Sequence, residues 1–537
     1  ALADHLPTVL QAVPEGTGSS TFWSESGSAF VEPTSNCPVT PITTGTGSRS
    51  QSAAIGPRRS SDADLLAELV TFAGSEELLR ASSLTTIVRG RGHILRSSQG
   101  SEETFNQSKQ VAHIHTFISH NWSVSRWTKF LALSHYFNFG IAQLGAVLTM
   151  AATVALNLSG YAPTIQHKSP DHQVGFLARL LVFPFFGLLI IFGRELVVCC
   201  GRRGPDVFLD KTCIHQVDRE IQRRGIEKLP AFLRHSKYML ALFTESCYLT
   251  KMWTVYEVAA FLACRSPRNM IVCDLNSVKI WYGCLTTAWL FTVVMMVVRT
   301  TFPVPLFVEG VLWFCVNLTV AVTSRAWAVS RLSIYKRLRH FDVRECSCTF
   351  EADRAIVERN IAVLMRAREN EPNLSDEEAL CVFNLLVQTE LPEVFAQGRH
   401  PLAFSYHHMA TFAFIWSWSA RVDMYLISGG SHVFWEVVGL IIWSFVCLPL
   451  AYGTLLFATK CFISLRGWRA WVRLVPLVVL NYLFAWGLQF GTFRAVKAVN
   501  EGSTLAGFAM TVAGLLGGMV VRVAFLRQAW DTRLAET

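Results

Sequence analysis

The sequence is short of charge. Only 16% of its 537 residues are Asp, Glu, Lys or Arg, whereas soluble domains carry about 25%. With 51% hydrophobic residues and a mean hydropathy of +0.33, that deficit excludes one large water-soluble core. Cysteine is present but unpatterned. The 14 cysteines are scattered, and Cys284, Cys315 and Cys447 fall inside apolar runs. No spacing marks a disulfide framework or a zinc site. Cys346 and Cys348 form a C-x-C pair with no second pair nearby, read as reduced thiols. No metal site and no resident cofactor are expected. There is no phosphate-cradling glycine loop, nucleophile elbow or zincin motif. Residues 1–25 lack a basic segment followed by an apolar one, so no cleavable signal peptide is expected. The chain starts at Ala1 rather than Met, as a fragment would. The formal charge is +9, but the basic residues flank apolar stretches instead of massing in one arm. That argues against nucleic acid and for a lipid bilayer as partner.

What the sequence does have is long windows almost free of charge. A bilayer core needs roughly 20 apolar residues in a helix. Windows at about residues 139–158, 174–199, 280–298, 305–327, 404–427, 437–459, 474–493 and 503–521 predict eight spans. Arg421 and Asp423 sit near the end of the fifth. An even number of spans leaves both termini on one side. Lys and Arg gather after the even-numbered spans, as in Arg194, Arg202, Arg203 and Lys211, or Arg331, Lys336, Arg337 and Arg339. The alternate loops are nearly uncharged. The positive-inside rule then places the soluble parts and both termini in the cytosol of a multi-pass integral membrane protein. Arg179, Arg194, Glu195, Glu309, Arg325 and Glu436 all lie near span ends, where they can snorkel. They form no ladder of the kind that marks a transport path. The sequon Asn157-Leu158-Ser159 abuts the first span. Gly514-x-x-x-Gly518 has the small-residue spacing of close helix packing, read as packing within the chain.

The soluble stretches divide further. Residues 1–105 are rich in Ser, Thr, Gly and Pro, and are expected to be disordered apart from one amphipathic helix over 62–80. Residues 111–136 and 200–276 read as two parts of one small domain, separated by a hairpin of spans over 137–199. A second hairpin covers 278–330, a cytosolic helical region 331–400, four spans 401–525 and a tail 526–537. Ser375 followed by Glu378 is a helix-capping pattern. Within the small domain, "HIHTFISHNW" (113–122), "DVFLD" (206–210), "KYMLALFT" (237–244) and "RNMIVCDL" (268–275) read as strands. Helical patterns lie between them, one interrupted by Gly225 and Pro230. Strands alternating with helices argue for a parallel sheet. The expected fold class is therefore a polytopic α-helical membrane protein with a small cytosolic α/β parallel-sheet domain.

Three boxes in that domain resemble the TIR (Toll/interleukin-1 receptor-like) family. They are "TFISH" (116–120), "VFLDKTCIHQVDREIQRRGI" (207–226) and "LRHSKYMLALFTESCYLTKMWTVYEV" (233–258). The likeness covers about 85 residues in two pieces. The chain departs from the family pattern in three respects. Thr254 follows Trp253 where the family has Cys, a hairpin of spans splits the first box from the second, and little room remains after Asp274 for the family's last strand and helices. The resemblance implies a flavodoxin-like sheet, TIR–TIR or other protein partners, homo-oligomers and, in the enzymes of the family, NAD as substrate. Glu257 matches the catalytic carboxylate of those enzymes. It would bind ribose hydroxyls and stabilise oxocarbenium-like charge. Trp253 and Tyr256 would line the pocket. Phe117, Ser119, His120 and Asp210 would lie at strand ends, where ligands sit in parallel sheets. Plainer roles stand beside these: Glu257 as a solvated helix residue or paired with Lys251 or Lys211, Trp253 as core, His120 and His215 as loop histidines. The expected function is a membrane-anchored TIR-like signalling or scaffold protein, with NAD glycohydrolase activity resting on Glu257. A channel or transporter with a cytosolic regulatory domain is the other reading, on the strength of eight spans.

Overall fold

The computed structural model describes residues 58–166, 173–201, 204–301, 306–348, 350–396, 406–425, 433–451 and 468–527. The expectation for residues 1–57 lies outside them. Eight strands are present among these residues: β1 (Arg80–Ser83), β2 (Ser108–Gln110), β3 (Ile114–Ser119), β4 (Thr164–Gln166), β5 (Gln173–Gly175), β6 (Asp206–Phe208), β7 (Ser236–Phe243) and β8 (Met270–Asp274). The helices that matter here are α1 (Leu84–Gly92), α2 (Arg126–Leu158), α3 (Leu177–Cys199), α4 (Met252–Cys264), α5 (Leu275–Thr301), α6 (Leu306–Arg339), α7 (Glu351–Glu369) and α8 (Asp376–Ala396).

Six strands form one sheet in the order β2-β1-β6-β3-β7-β8. β6, β3, β7 and β8 are parallel, and β1 and β2 are antiparallel additions at one edge. The sheet is thus mixed, where an all-parallel one was expected. Counted along the chain, the four parallel strands lie in the spatial order 2-1-3-4. β3 and β6 are neighbours, with Thr116 opposite Val207 and Phe117 opposite Phe208, although the helix pair α2 and α3 lies between them in sequence.

Side chains alternate across a strand with a period of two, and both faces of this sheet are buried. Phe117, Phe208, Met239, Ala241 and Phe243 pack on one face with Val255 and Phe261 of α4, Ile361 of α7 and Phe383 of α8. Ile118, Val207, Leu240, Leu242 and Ile271 pack on the other face with Ile87 of α1, Phe130 and Leu133 of α2 and Val278 of α5. Strands buried on both sides need continuous apolar runs, which explains "KYMLALF". The second face matters most for position. Its core is shared with the first turns of two apolar helices, so the sheet is fastened to them.

Four helices are long and apolar enough to cross a membrane: Arg126–Leu158, Leu177–Cys199, Leu275–Val298 and Gly310–Arg339. They leave large apolar side chains uncovered, such as Leu144 at 61%, Leu148 at 60% and Leu188 at 52% exposure. Contiguous apolar surface of this kind marks a partner that is not water. The later windows contain the helices Tyr406–Tyr425, Val433–Ile442, Trp468–Asn500 and Thr504–Arg527, and parts of them lie outside the described residues. A Cβ at Gly514 would come within 2.9 Å of Ile442 Cγ1, so this glycine packs within the chain.

Two expectations about the first hundred residues are corrected. The helix foreseen over 62–80 is Arg58–Val70 instead, and Arg80 begins a strand. Residues 74–105 are part of the fold rather than disordered. Ala81 is fully buried in the sheet, and Arg80 donates to the Ser108 Oγ at 2.8 Å across the β1–β2 pair. The helix following the first box also has no break at 136. It is the start of α2, continuous to Leu158.

Candidate functional site at the carboxyl ends of the parallel strands

Ser119 is the last residue of β3, and Asp210 lies two residues beyond the end of β6. Glu257 is in the second turn of α4, and Tyr248 is in the loop that leads into it. These four residues approach one another because β3, β6 and β7 run in the same direction and end together. The Ser119 hydroxyl donates to the Glu257 carboxyl. The Tyr248 hydroxyl lies 2.5 Å from the Ser119 Oγ. A serine hydroxyl has one proton, so Tyr248 donates to Ser119 while Ser119 donates to Glu257.

Burial pushes the Glu257 carboxyl up to about 8, the Ser119 hydrogen bond pulls it back, and the negative charge of Asp210 raises it further. The residue as a whole is partly exposed, while its carboxyl lies deep enough to lose its hydration. Tyr248 is buried, and its phenol is held well above its ordinary value by burial and by the nearby Glu257. A carboxyl whose proton affinity lies near neutrality is suited to proton transfer or to stabilising nearby positive charge.

Asp210 anchors a second group. Its carboxylate accepts from Trp122 Nε1 at 2.8 Å and from the Lys211 backbone N–H at 2.7 Å. The His120 ring meets Trp122 edge-on with centroids 4.5 Å apart. Lys129 Nζ lies 4.6 Å from the Trp122 ring centroid, a cation–π contact. Burial brings the His120 imidazole down to about 4, opposed by Asp210 and reinforced by Lys129. The ring is therefore neutral at pH 7. Its Nε2 is buried and has no hydrogen-bond partner among the described residues.

Ser119, His120, Asp210 and Glu257 are therefore brought together. Phe117, Trp253 and Tyr256 are not, which corrects their expected place in a binding pocket. Phe117 is fully buried and stacks on Phe208 with centroids 4.4 Å apart. Tyr256 is buried, and its hydroxyl accepts from Asn360 Nδ2 at 3.4 Å, facing α7. Trp253 packs against the same core. Neighbouring helix positions diverge by about 100°, so Tyr256 and Glu257 cannot both face the strand ends. Glu257 bonds Ser119 rather than Lys251 or Lys211. Lys211 Nζ donates instead to the carbonyls of Ile94 at 3.2 Å and Ser97 at 2.9 Å. His215 is a loop histidine whose Nδ1 accepts from the backbone of Val217 and Asp218. Sequence reasoning passed over Tyr248, Trp122 and Lys129. The first two lie inside or beside the quoted boxes, so their proximity to the strand ends was the available signal. Lys129 stands on α2 and carried none.

No protein-family model matches the chain, and no curated protein or solved structure matches it significantly.

Proposed function

We propose that this chain is a membrane-anchored TIR-like signalling protein whose cytosolic domain cleaves NAD at Glu257. The observation that carries this reading is the Ser119–Glu257 hydrogen bond. It joins the first and third boxes at the carboxyl ends of adjacent parallel strands, where doubly wound sheets bind ligands. The 2-1-3-4 order of the parallel strands matches the first four positions of the flavodoxin-like order 2-1-3-4-5, the class to which a TIR-like domain belongs.

In this reading the ionised Glu257 carboxylate binds the hydroxyls of the nicotinamide-bearing ribose. It stabilises positive charge as the bond from the anomeric carbon to nicotinamide breaks. The bonding pair leaves with nicotinamide, water adds to the anomeric carbon, and a proton is lost to give ADP-ribose. The positive nicotinamide ring favours the ionised carboxylate, which offsets the high proton affinity that burial gives Glu257 in the free protein. Trp122, held by Asp210, and the neutral His120 ring against it form the neighbouring group at the strand ends.

The anchoring part rests on the four apolar helices and on the basic residues that follow alternate apolar windows. Eight spans, with both termini and the soluble parts in the cytosol, are the arrangement proposed. Release of nicotinamide from NAD by the full chain purified in detergent tests the enzymatic part. Wild-type protein that leaves NAD untouched, identically to Glu257→Gln, would sink it.

A further inference from the structure

A cavity of about 860 Å³ opens between α1, the turn His93–Arg96 and the segment around Thr104 and Gln107. Ligand pockets commonly have volumes of roughly 300–1,000 Å³. Arg89, Arg96 and Lys211 bring positive charge to its walls, and Thr85, Thr86 and Ser97 bring hydroxyls. Among the described residues, no carboxylate lines it. Arg89, Arg91 and Arg96 are exposed, and none of them makes an ion pair among the described residues. At the rim the chain runs through three successive left-handed residues: Gly90 at φ 59°, Arg91 at φ 58° and Gly92 at φ 63°. Arg91 has a side chain in a region that favours glycine, and strain of this kind tends to persist at binding sites.

The cavity also has a fixed place relative to the apolar helices. A Cβ at Gly92 would stand 3.1 Å from the Phe130 Cβ of α2, so the rim is pressed against that helix. A Cβ at Gly204 would stand 3.2 Å from Thr85 Oγ1. Gly204 follows the end of α3 at Cys199 by five residues, a reach of at most about 18 Å. The wall of the cavity thus lies within a short distance of where α3 ends.

We propose that this cavity holds the clustered phosphates of an anionic lipid headgroup, presented by the membrane that α2 and α3 enter. Guanidinium groups bind phosphate through paired, charge-assisted hydrogen bonds. Several cations around a cavity of this size suit a headgroup with more than one phosphate better than a singly charged one. The inference rests on the membrane placement proposed above and not on Glu257.

The test uses the whole 537-residue chain in dodecyl maltoside micelles, titrated with short-chain phosphatidylinositol bisphosphate, phosphatidylserine and soluble inositol trisphosphate. Binding is read by native mass spectrometry. Phosphatidylinositol bisphosphate should bind about tenfold or more tightly than phosphatidylserine, and inositol trisphosphate should compete with it. Arg89→Gln with Arg96→Gln should weaken the lipid by about tenfold or more. Gln107→Glu, which adds a negative charge to the wall without removing a cation, should weaken it in the same direction. Arg219→Gln, an exposed arginine that does not line the cavity, should not. Equal affinity for the two lipids, or equal loss in the Arg219 variant, would overturn the proposal. Binding of inositol trisphosphate without binding of the embedded lipid would overturn the lipid as its source. A chain that stays soluble without detergent would instead refute the membrane placement, and nicotinamide release reports on Glu257 separately from both.

Discussion

Ser119 and Glu257 are hydrogen-bonded side chain to side chain across 138 residues of sequence. Between them the chain leaves the sheet, runs through α2 and α3, returns as β6 and β7, and enters α4. The bond therefore reports that the sheet is assembled around the helix pair.

The high proton affinity of Glu257 predicts a pH-dependent stability. An unperturbed Glu has a value of 4.5, and Glu257 is raised to about 8 by burial. Between those values the folded chain holds a proton that the unfolded chain releases, so stability falls as pH rises through this window. The contribution is complete below 4.5 and lost above 8. Each pH unit inside the window costs at most about 1.4 kcal/mol. Glu257→Gln removes the effect. Thermal unfolding in detergent should show the variant gaining on wild type between pH 5 and pH 8.5, roughly the span over which the carboxyl titrates.

Ser119→Ala should act on two partners at once. It deletes the donor that holds the Glu257 proton affinity down, so the rising limb of a kcat/KM profile for NAD should move to higher pH. It also strands the buried Tyr248 hydroxyl, a loss of about 1–3 kcal/mol in stability. Tyr248→Phe leaves Ser119 free to keep donating to Glu257 and should cost about 1 kcal/mol. A Ser119 variant with an unmoved pH limb would show that the hydroxyl does not tune the carboxyl.

Gly145 on α2 sets the approach of α3. A Cβ there would fall 1.9 Å from the Leu189 Cδ1, and Leu189 is itself buried. Small residues allow apolar helices to pack closely. Gly145→Val should destabilise the pair by about 1–3 kcal/mol through overpacking, read as a lower unfolding temperature in detergent. Gly140→Val, where a Cβ meets nothing within 4 Å, should be nearly neutral.

The sequon at Asn157 should remain unmodified. Asn157 is buried at the end of α2, and its Nδ2 donates to the Val422 carbonyl at 3.4 Å. Protein from a glycosylating host and its Asn157→Gln variant should migrate identically on denaturing electrophoresis.

The parallel strands were legible in the sequence because each is buried on both faces and reads as a short apolar run. Val207 and Phe208, or Leu240 and Ala241, leave no polar face that could be solvated. β1 and β2 were not legible. "RASS" and "SKQ" are short, polar and at one edge, and they are held by backbone pairing and by Arg80 bridging to Ser108. The site was half legible. Residues at strand ends could be located from where the apolar runs stop, which finds Ser119 and Asp210. The inward face of α4 could not, because that helix is apolar nearly all round. Val255, Tyr256 and Val258 are as buried as any core residue. Asn360, which claims the Tyr256 hydroxyl, comes from a helix about a hundred residues away.

Cleavage of NAD at Glu257 is the proposed activity. It is tested most directly by following NAD, nicotinamide and ADP-ribose together by chromatography, using the purified full chain and its Glu257→Gln variant. Equimolar nicotinamide and ADP-ribose are expected from wild type, with a loss of at least about a hundredfold in the variant, the scale of removing one acid–base or charge-stabilising group. Equal product formation by both proteins, or none by either, would contradict it.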